Sequence, residues 1–320
     1  MYIGIDLGGT KTEIVVLDAA GGERLRFRRP SPHGDYDATL DLLRRLIITA
    51  ERVHGPAASV GIGAPGALVP STGRMQNCNS TWLNGRPLQA DLERLCQRPI
   101  ALANDADCFA LAEAVDGAGA GFDTVFGVIL GTGVGGGIVS HRRLLAGPNA
   151  IAGEWGHVRM PELVEAPAGI RQRLDSLPSR PCYCGRSDCI ETWLSGPGLA
   201  LSGRQLGEQV ATAEALVEAA EAGSPAAMAA LDLYAWQLAA ALSLVINVLD
   251  PHCIVLGGGL SNLHSLYTRV PARWGRFVFS ATVRTPLRPP RHGDSAGVRG
   301  AAWLGRDAAQ RRAASGTGNR

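Results

Sequence analysis

Apolar and polar residues alternate on both sides of a glycine pair at the start of the chain. The alternation covers residues 2–7, stops at Gly8 and Gly9, and resumes over residues 11–17. Period-two alternation around a glycine turn is typical of two half-buried strands. The pattern therefore predicts a β-hairpin over residues 2–18.

Further along the chain, the apolar spacing changes between helical and extended. Helical spacing over residues 37–54 ends at Gly55, and Ser224-Pro225 is a favourable cap and first residue for a helix that ends near Leu249. The remaining predictions are strands at 60–62, 100–102 and 253–256, a helix at 106–116, a long surface loop at 160–181, a helix cap at Ser261 and a disordered tail at 306–320.

The opening pattern returns in the middle of the chain. Residues 126–133 align with residues 3–10 at an offset of 123, so that Gly127 and Gly131 match Gly4 and Gly8. This similarity predicts an internal duplication, and chance similarity between two tight hairpins is the alternative. Strands that alternate with helices indicate an α/β protein, and the hairpins indicate mixed sheets.

Composition narrows the class of protein. The 320 residues are enough for two domains, and 31 cationic against 29 acidic residues exclude a strongly basic nucleic-acid binder. The longest apolar run, Leu238–Leu249, is shorter than the about 20 residues that a membrane helix needs. Residues 1–10 lack the features of a signal peptide, so we expect a cytoplasmic protein that binds no membrane.

Glycine-rich turns follow three apolar strands, at residues 8–9, 131–137 and 257–259. Such turns let backbone amides point at a phosphate, although each alone is also compatible with a simple tight turn. Lys11 is the only lysine and follows a threonine, which excludes a Walker A loop. Residues 131–136 match G-x-G-x-x-G, but the segment continues as a strand, which disfavours a nicotinamide-binding fingerprint.

Four motifs together resemble the ROK family of repressors, open reading frames and kinases. They are Asp-Leu-Gly-Gly-Thr-Lys at 6–11, Leu-Gly-Thr-Gly at 130–133, Gly-Glu-Trp-Gly-His at 153–157 and the cysteine motif at 182–191. The resemblance implies a duplicated RNase H-like fold of the sugar kinase/actin/Hsp70 type, with two domains and a cleft between them. It implies a small domain at 1–115, completed by a helix at about 293–310, and a large domain at 116–292 that holds the adenosine region.

The resemblance also implies an activity. Within the family, residues 77–85 most resemble bacterial fructokinase, also called manno-fructokinase, so we expect ATP-dependent phosphorylation of D-fructose to fructose 6-phosphate. Mannose or glucose are further possible substrates, and an N-acetylglucosamine kinase or glucokinase is the alternative. A sugar-responsive repressor would need an added helix-turn-helix, for which the hairpin beginning at Tyr2 leaves no room. Family members are often homodimers.

Asp105 is the expected catalytic base. It follows a predicted strand, and the residues alone leave open whether Asn104 or Asp105 only caps the next helix. The resemblance implies that Asp105 accepts the proton of the sugar hydroxyl. It also implies that Asp6 holds Mg²⁺–ATP, whereas the alternative for Asp6 is a carboxylate that accepts hydrogen bonds from the turn.

Polar residues scattered along the chain match family positions for the sugar. Taken alone, Asn79 is typical of a turn, Glu191 of a helix N-terminus and Trp82 of the core. The implied sugar-binding residues are Gly66, Asn79, Asn104, Asp105, Glu154, His157 and Glu191. The implied ATP-binding residues are Gly4, Asp6, Gly8, Gly9, Thr10, Lys11, Gly131, Thr132, Gly133, Gly135, Gly136, Gly257, Gly258 and Gly259, although Lys11 is also compatible with a solvated charge.

Three of the seven cysteines lie within eight residues, at Cys182, Cys184 and Cys189. A closed structural zinc site needs four ligands, and three closely spaced cysteines are rarely simple core residues. The resemblance implies that His157 is the fourth ligand and that the zinc is structural. Asp188 stands where family members usually have glycine, so we expect it to strain the turn or weaken the metal site.

Overall fold

The computed structural model describes residues 1–316, and they form two compact units. Of the described residues, the first unit comprises Met1–Asp123, Gly137–Ala152 and 291–316, and the second comprises Thr124–Gly136 and Gly153–Pro290. The strands are β1 (Tyr2–Leu7), β2 (Lys11–Leu17), β3 (Glu23–Pro30), β4 (Ser59–Ala64), β5 (Ala67–Leu68), β6 (Met75–Gln76), β7 (Ala101–Asn104), β8 (Thr124–Leu130), β9 (Val134–Ser140), β10 (Arg143–Leu144), β11 (Cys253–Gly257) and β12 (Leu287–Arg288).

Helices surround these strands. The α-helices are α1 (Tyr36–His54), α2 (Leu88–Cys96), α3 (Asp105–Val115), α4 (Ala168–Asp175), α5 (Ile190–Leu194), α6 (Gly196–Gln205), α7 (Ala213–Glu221), α8 (Pro225–Leu249), α9 (Leu266–Arg269), α10 (Pro271–Trp274) and α11 (Ala296–Gly316). Short 3-10 helices lie at Thr81–Leu83, Trp155–His157, Gly259–Asn262 and Gly293–Ser295.

Two five-stranded sheets have the same strand order. The first is β3-β2-β1-β4-β7 and the second is β10-β9-β8-β11-β12. In the first sheet β1 runs antiparallel to β2 and parallel to β4, and β4 runs parallel to β7. In the second sheet β9 and β10 are antiparallel, whereas β8, β11 and β12 are parallel neighbours. This correspondence confirms the predicted duplicated α/β fold with mixed sheets.

The glycines of β1 and β4 explain how α11 packs in the first unit. A Cβ on Gly4 would lie 2.2 Å from the carbonyl oxygen of Val298, and one on Gly61 would lie 1.9 Å from that of Ala301. Only glycine allows strand and helix backbones to approach so closely. Gly4 is therefore a buried packing position, which differs from the ATP contact that the sequence analysis expects of it.

Helix α8 forms much of the core of the second unit. The Tyr234 hydroxyl is fully buried and donates to the carbonyl oxygen of Leu194 at 2.8 Å. Among residues 1–316, α8 alone is long and apolar enough to cross a membrane, and 72% of its most apolar stretch is buried inside the protein. The Ser224 cap and the end at Leu249 agree with the sequence prediction, whereas the apolar run is longer than predicted because it continues through buried alanines.

Three further predictions differ from the structure. The segment 160–181 contains α4, a helix of the second unit whose Ile170 is buried. The Ser261 hydroxyl donates to the carbonyl oxygen of Gly258 inside a 3-10 helix and caps no α-helix. Residues 306–316 continue α11, whose buried side packs on the first sheet, and residues 317–320 lie outside the described residues.

Candidate functional site

The first charged group of interest lies at the junction of β7 and α3. Asn104 is the N-cap of α3, and its Oδ1 accepts a hydrogen bond from the Asp107 amide at 2.6 Å. Asp105 is the first residue of α3; its side chain is exposed, and its Oδ1 accepts from the Ala106 amide at 2.8 Å. Because Asn104 supplies the cap, Asp105 is not needed for that role.

Two carboxylates in the first unit resist ionisation. Burial, together with the charges of Asp105 and Glu13, raises the pKa of Asp6 to about 6. Protein atoms around Asp105 also raise its pKa by desolvation, although its side chain remains accessible to solvent. A carboxylate with a raised pKa is a stronger proton acceptor.

Asp6 and its cross-strand neighbour Glu13 differ in their partners. Glu13 is buried and forms ion pairs with Arg26 and Arg28. Asp6 has no cationic side chain within 4.0 Å in residues 1–316, and a Cβ on Gly297 would lie 3.0 Å from its Oδ2. A desolvated carboxylate without a cation is suited to a metal ion or a protonated partner.

The turn between β1 and β2 is supported from the end of β3. The Gly8 amide donates to the carbonyl oxygen of Lys11 at 3.1 Å. The Ser31 hydroxyl donates to the carbonyl oxygen of Gly8 at 2.7 Å, and its amide donates to that of Thr10 at 3.0 Å. Gly9 and the side chains of Thr10 and Lys11 remain exposed, so they are accessible to a ligand.

The second glycine turn opens onto a cavity of about 430 Å³ within the second unit. Its wall includes Gly131 and Thr132 from the turn and Gly259 from the third glycine segment. The volume is typical of a site for a small molecule. Sequence reasoning missed the other lining residues because none of them follows an apolar strand as the three predicted glycine turns do: Gly196, Pro197, Arg204, Ala211, Thr212, Ala213, Glu214 and Leu260.

Several predicted phosphate-binding glycines also make close contacts within the protein. A Cβ on Gly136 would lie 2.8 Å from the carbonyl oxygen of Gly153, and Gly257 is buried inside β11. The carbonyl oxygen of Gly135 accepts a hydrogen bond from the Trp155 indole at 3.0 Å. Gly258 has a left-handed backbone with φ of 77°. The exposed glycines of the turns are thus better placed for a ligand than those of the strands.

Four possible metal ligands converge in the second unit. The ligand atoms of His157, Cys182, Cys184 and Cys189 all lie within 4.8 Å of one another. Cys182 Sγ lies 3.6 Å from His157 Nδ1, and Cys184 Sγ lies 3.6 Å from Cys189 Sγ. Zinc–ligand bonds of about 2.0–2.3 Å in a tetrahedron give ligand separations of roughly 3.5–3.8 Å. The donor set therefore fits a tetrahedral metal ion.

Asp188 compensates for the conformation that its position requires. Its φ of 57° lies in the left-handed region, which glycine adopts most easily and aspartate tolerates. Its carboxylate accepts hydrogen bonds from the Ser179 hydroxyl at 2.7 Å and the Arg180 amide at 2.9 Å. The expected strain is thus accompanied by two hydrogen bonds that glycine cannot form.

The remaining predicted sugar-binding residues occupy loops and short helices. Gly66 has φ of 78° and leaves no room for a Cβ beside the carbonyl oxygen of Gln76. Asn79 is exposed, and Trp82 packs against the core of the first unit, as its alternative interpretation predicts. In the second unit, Glu154 precedes the 3-10 helix that carries His157.

Comparisons with known proteins agree with this architecture. The model of the ROK family matches residues 2–308. An N-acetyl-D-glucosamine kinase from Yersinia pseudotuberculosis serotype O:1b is 40% identical over 95% of this chain and 98% of its own length. The ROK hexokinase of Thermus thermophilus is 27% identical with a TM-score of 0.84, covering 97% of this chain and 99% of that one. A ROK glucokinase from Streptomyces griseus, solved with glucose and AMPPNP, is 26% identical with a TM-score of 0.71, covering 96% and 99%.

Proposed function

Since this chain belongs to the ROK family, we propose that it is an ATP-dependent sugar kinase whose substrate is N-acetyl-D-glucosamine. The observation that carries the substrate is the 40% identity, over nearly the full length of both chains, with a kinase named for that sugar. The fructokinase expectation depends on residues 77–85 alone. Similarity over the whole chain favours the alternative that the sequence analysis left open.

Asp105 is the proposed general base. Its side chain is accessible, its N-terminal helix position is not needed for capping, and desolvation raises its pKa. In the proposed reaction the sugar hydroxyl oxygen attacks the γ-phosphorus of ATP while its proton passes to the Asp105 carboxylate. The bond between the γ-phosphorus and the bridging oxygen breaks, and ADP leaves.

In each unit, taken by itself, a glycine turn is proposed as a nucleotide-binding segment. The cavity lined by Gly131, Thr132 and Gly259 is suited to the adenosine and its nearest phosphate. The exposed Thr10 and Lys11 supply donors for phosphate oxygens. Mg²⁺ bound with ATP would neutralise phosphate charge, and Asp6 is the residue proposed to hold it.

We propose a structural zinc ion at His157, Cys182, Cys184 and Cys189. The two donor separations of 3.6 Å, and the placement of all four donors within 4.8 Å of one another, support this assignment. Three protein thiolates and an imidazole leave no open position, which is typical of a structural site. The ion would hold the loop before α5 in place.

A coupled assay of ADP release tests the substrate. Purified protein with ATP and Mg²⁺ is given N-acetylglucosamine, fructose, mannose or glucose, and kcat/KM is compared. We expect N-acetylglucosamine to exceed the other three sugars by at least about tenfold, since one wrongly filled or empty polar subsite costs about that much or more. A higher value for fructose would restore the first expectation, and no ADP release with any sugar would remove the kinase proposal.

Location and assembly complete the proposal. We propose a cytoplasmic enzyme and the homodimer that the family resemblance implies. Light scattering coupled to size-exclusion chromatography measures the assembly, and a mass of 33.5 kDa for the main peak would identify a monomer instead.

A further inference from the structure

We propose that Glu191 is a positioning residue for the second glycine turn, and that through it the cysteine loop (residues 182–189), which carries three of the four donors, tunes nucleotide binding. The family resemblance implies that Glu191 contacts the sugar. The structure gives one oxygen of its carboxylate a backbone partner at the turn. The nucleotide measurements below rest on the proposed function, whereas the amide-exchange measurement does not.

The contact between Glu191 and the turn is direct. Glu191 Oε2 accepts a hydrogen bond from the Val134 amide at 2.9 Å, and a Cβ on Gly133 would lie 2.6 Å from the same oxygen. Residues 130–137 carry no charged side chain of their own. The half-buried carboxylate is therefore a fixed acceptor that holds the end of the turn.

A second hydrogen bond joins the same segment to the other end of the turn. The Gly196 amide, at the start of α6, donates to the carbonyl oxygen of Gly131 at 2.8 Å. Glu191 and Gly196 lie at the two ends of one six-residue stretch that includes most of α5. This stretch therefore contacts both sides of the turn, and a shift of α5 would move the amides that face the nucleotide.

The cysteine loop, residues 182–189, sets the position of α5. Cys189 is the N-cap of α5, and its carbonyl oxygen accepts from both the amide and the hydroxyl of Thr192, at 2.9 and 2.8 Å. One of the four donors is thus the residue that begins the helix. An ion held by Cys189 would fix the helix start, and with it Glu191 two residues later.

Arg180 fastens the same stretch from the other side. Its buried guanidinium donates to the carbonyl oxygens of Thr192 and Gly198, at 2.9 and 3.0 Å, and stacks 3.7 Å from the centre of the Trp193 ring. Asp188 accepts the Arg180 amide, so the guanidinium is anchored to the cysteine loop. The Cys189 cap and the Arg180 hydrogen bonds therefore both connect the cysteine loop to α5.

The first experiment compares nucleotide binding without sugar. Calorimetry with Mg²⁺ and AMPPNP is applied to the wild type, Glu191→Ala, Glu191→Gln and the control Glu218→Ala, which removes an exposed carboxylate from α7. We expect about tenfold weaker binding for Glu191→Ala, a smaller loss for Glu191→Gln because its amide oxygen still accepts, and no change for Glu218→Ala. Unchanged AMPPNP affinity in Glu191→Ala, with only the KM of the sugar raised, would overturn the proposal.

A second experiment removes the contact from the other side. Gly133→Ala places a methyl group against Glu191, so we expect weaker AMPPNP binding than in the wild type. In Gly133→Ala/Glu191→Ala the clash is gone, and the combined loss should be smaller than the product of the two single losses. A simple product of the two losses contradicts direct contact.

Amide hydrogen exchange tests the positioning itself and needs no ligand. We expect the peptide covering residues 131–136 to exchange about tenfold faster in Glu191→Ala than in the wild type, while zinc content and overall Tm stay close to the wild type. If exchange at 131–136 is unchanged, or if the variant loses zinc and unfolds, Glu191 serves the cysteine loop alone and the proposal fails. If the wild type binds no nucleotide, the proposed function fails while this measurement still decides the role of Glu191.

Discussion

The two glycine hairpins share one frame and differ in charge. At the offset of 123, Gly8 and Gly131 correspond, but Asp6 corresponds to Ile129 and Lys11 to Val134. The first hairpin thus carries two acids, Asp6 and Glu13, and the only lysine, whereas the second is neutral. The same backbone path has been kept in both halves while the chemistry has been placed in one of them.

The hairpins also differ in what supports their turns. Ser31, the residue that directly follows strand β3, holds the first turn through two hydrogen bonds. The second turn is held by Glu191 and Gly196, which follow the cysteine loop. The first hairpin carries charged side chains of its own. The second has none, and a carboxylate from a distant segment, Glu191, accepts a hydrogen bond from its backbone.

The largest expected effect concerns Asp105, in the unit that contains the charged hairpin. Asp105→Asn keeps an oxygen that can accept from the Ala106 amide but removes the proton acceptor. We expect kcat to fall by about 10³-fold, within the usual range for loss of a general base, while sugar binding persists. Steady-state ADP release measures kcat, and circular dichroism checks the fold.

Asp37→Asn is the matched control for Asp105→Asn. Asp37 is also an exposed acid in the first turn of a helix, so both substitutions remove the same interaction with the helix dipole. We expect Asp37→Asn to keep near-wild-type kcat. Equal activity in the two variants would remove Asp105 from the role of base.

The second prediction concerns Cys189, at the start of the helix that supports the neutral hairpin. Cys189→Ser removes one metal donor at the start of α5. We expect zinc to fall from about one per chain to near zero, and Tm to fall by roughly 5–10 °C, because binding of a structural metal contributes to folding. Metal analysis and thermal melting measure the two effects.

Cys96→Ser serves as the control for a cysteine outside the cluster. Cys96 is half-buried at the end of α2 and has no part in the four-donor set. We expect its zinc content to equal that of the wild type. Zinc retained at one per chain in Cys189→Ser would contradict the ligand assignment.

The third prediction concerns Asp6 and has an unusual sign. The folded protein holds the Asp6 proton up to a pKa of about 6, above the ordinary aspartate value of 3.8, so the free energy of unfolding falls as pH rises through this interval. In Mg²⁺-free buffer at pH 8, Asp6→Asn should therefore be more stable than the wild type by up to about 3 kcal/mol. Near pH 4 the difference should vanish. Binding of Mg²⁺–ATP should nevertheless weaken in the variant.

Asp18→Asn gives the opposite expectation for stability. Hydrogen bonds from the Gly22 and Ala20 amides lower the pKa of Asp18, so its carboxylate stabilises the fold at neutral pH. We expect Asp18→Asn to be less stable than the wild type at pH 8. Urea titrations at pH 4 and pH 8 measure both variants, and a loss of stability in Asp6→Asn at pH 8 would show that burial does not penalise its charge.

The fold was largely predictable because its signals are local. The hairpin at 2–18, the helix closed by Gly55 and the helix capped by Ser224 depend on alternation, helical spacing and caps, which the chain carries within each segment. The repeat of the hairpin also predicted the second sheet. Helix α4 was missed because it has one buried residue, Ile170, and so little apolar periodicity.

The site was predictable only in part because its contacts join distant segments. The link between Glu191 and Val134 spans 57 residues, and no spacing rule connects a helix N-terminus to a glycine turn. For the same reason the cavity wall on α6 and α7 carried no signal. Gly4 and Gly136 show a related difficulty, since a glycine that permits backbone packing looks the same in sequence as one that faces a ligand.

The smallest expected effect concerns Tyr183, whose hydroxyl contacts the metal-ligand candidate His157. His157 presents Nδ1 to Cys182, and its Nε2 lies 2.9 Å from the Tyr183 hydroxyl, so a metal on Nδ1 would leave Nε2–H to donate to that oxygen. Tyr183→Phe removes the acceptor and keeps the edge-on ring contact at 5.1 Å. Loss of such an outer partner costs about 10- to 100-fold in metal affinity, and we expect the lower figure because Tyr183 is 80% exposed and water can replace it. Transfer of zinc to a chromogenic chelator measures the rate, with Tyr2→Phe in the first unit as the control. A rate equal to that of the wild type would mean that the Tyr183 hydroxyl does not orient His157.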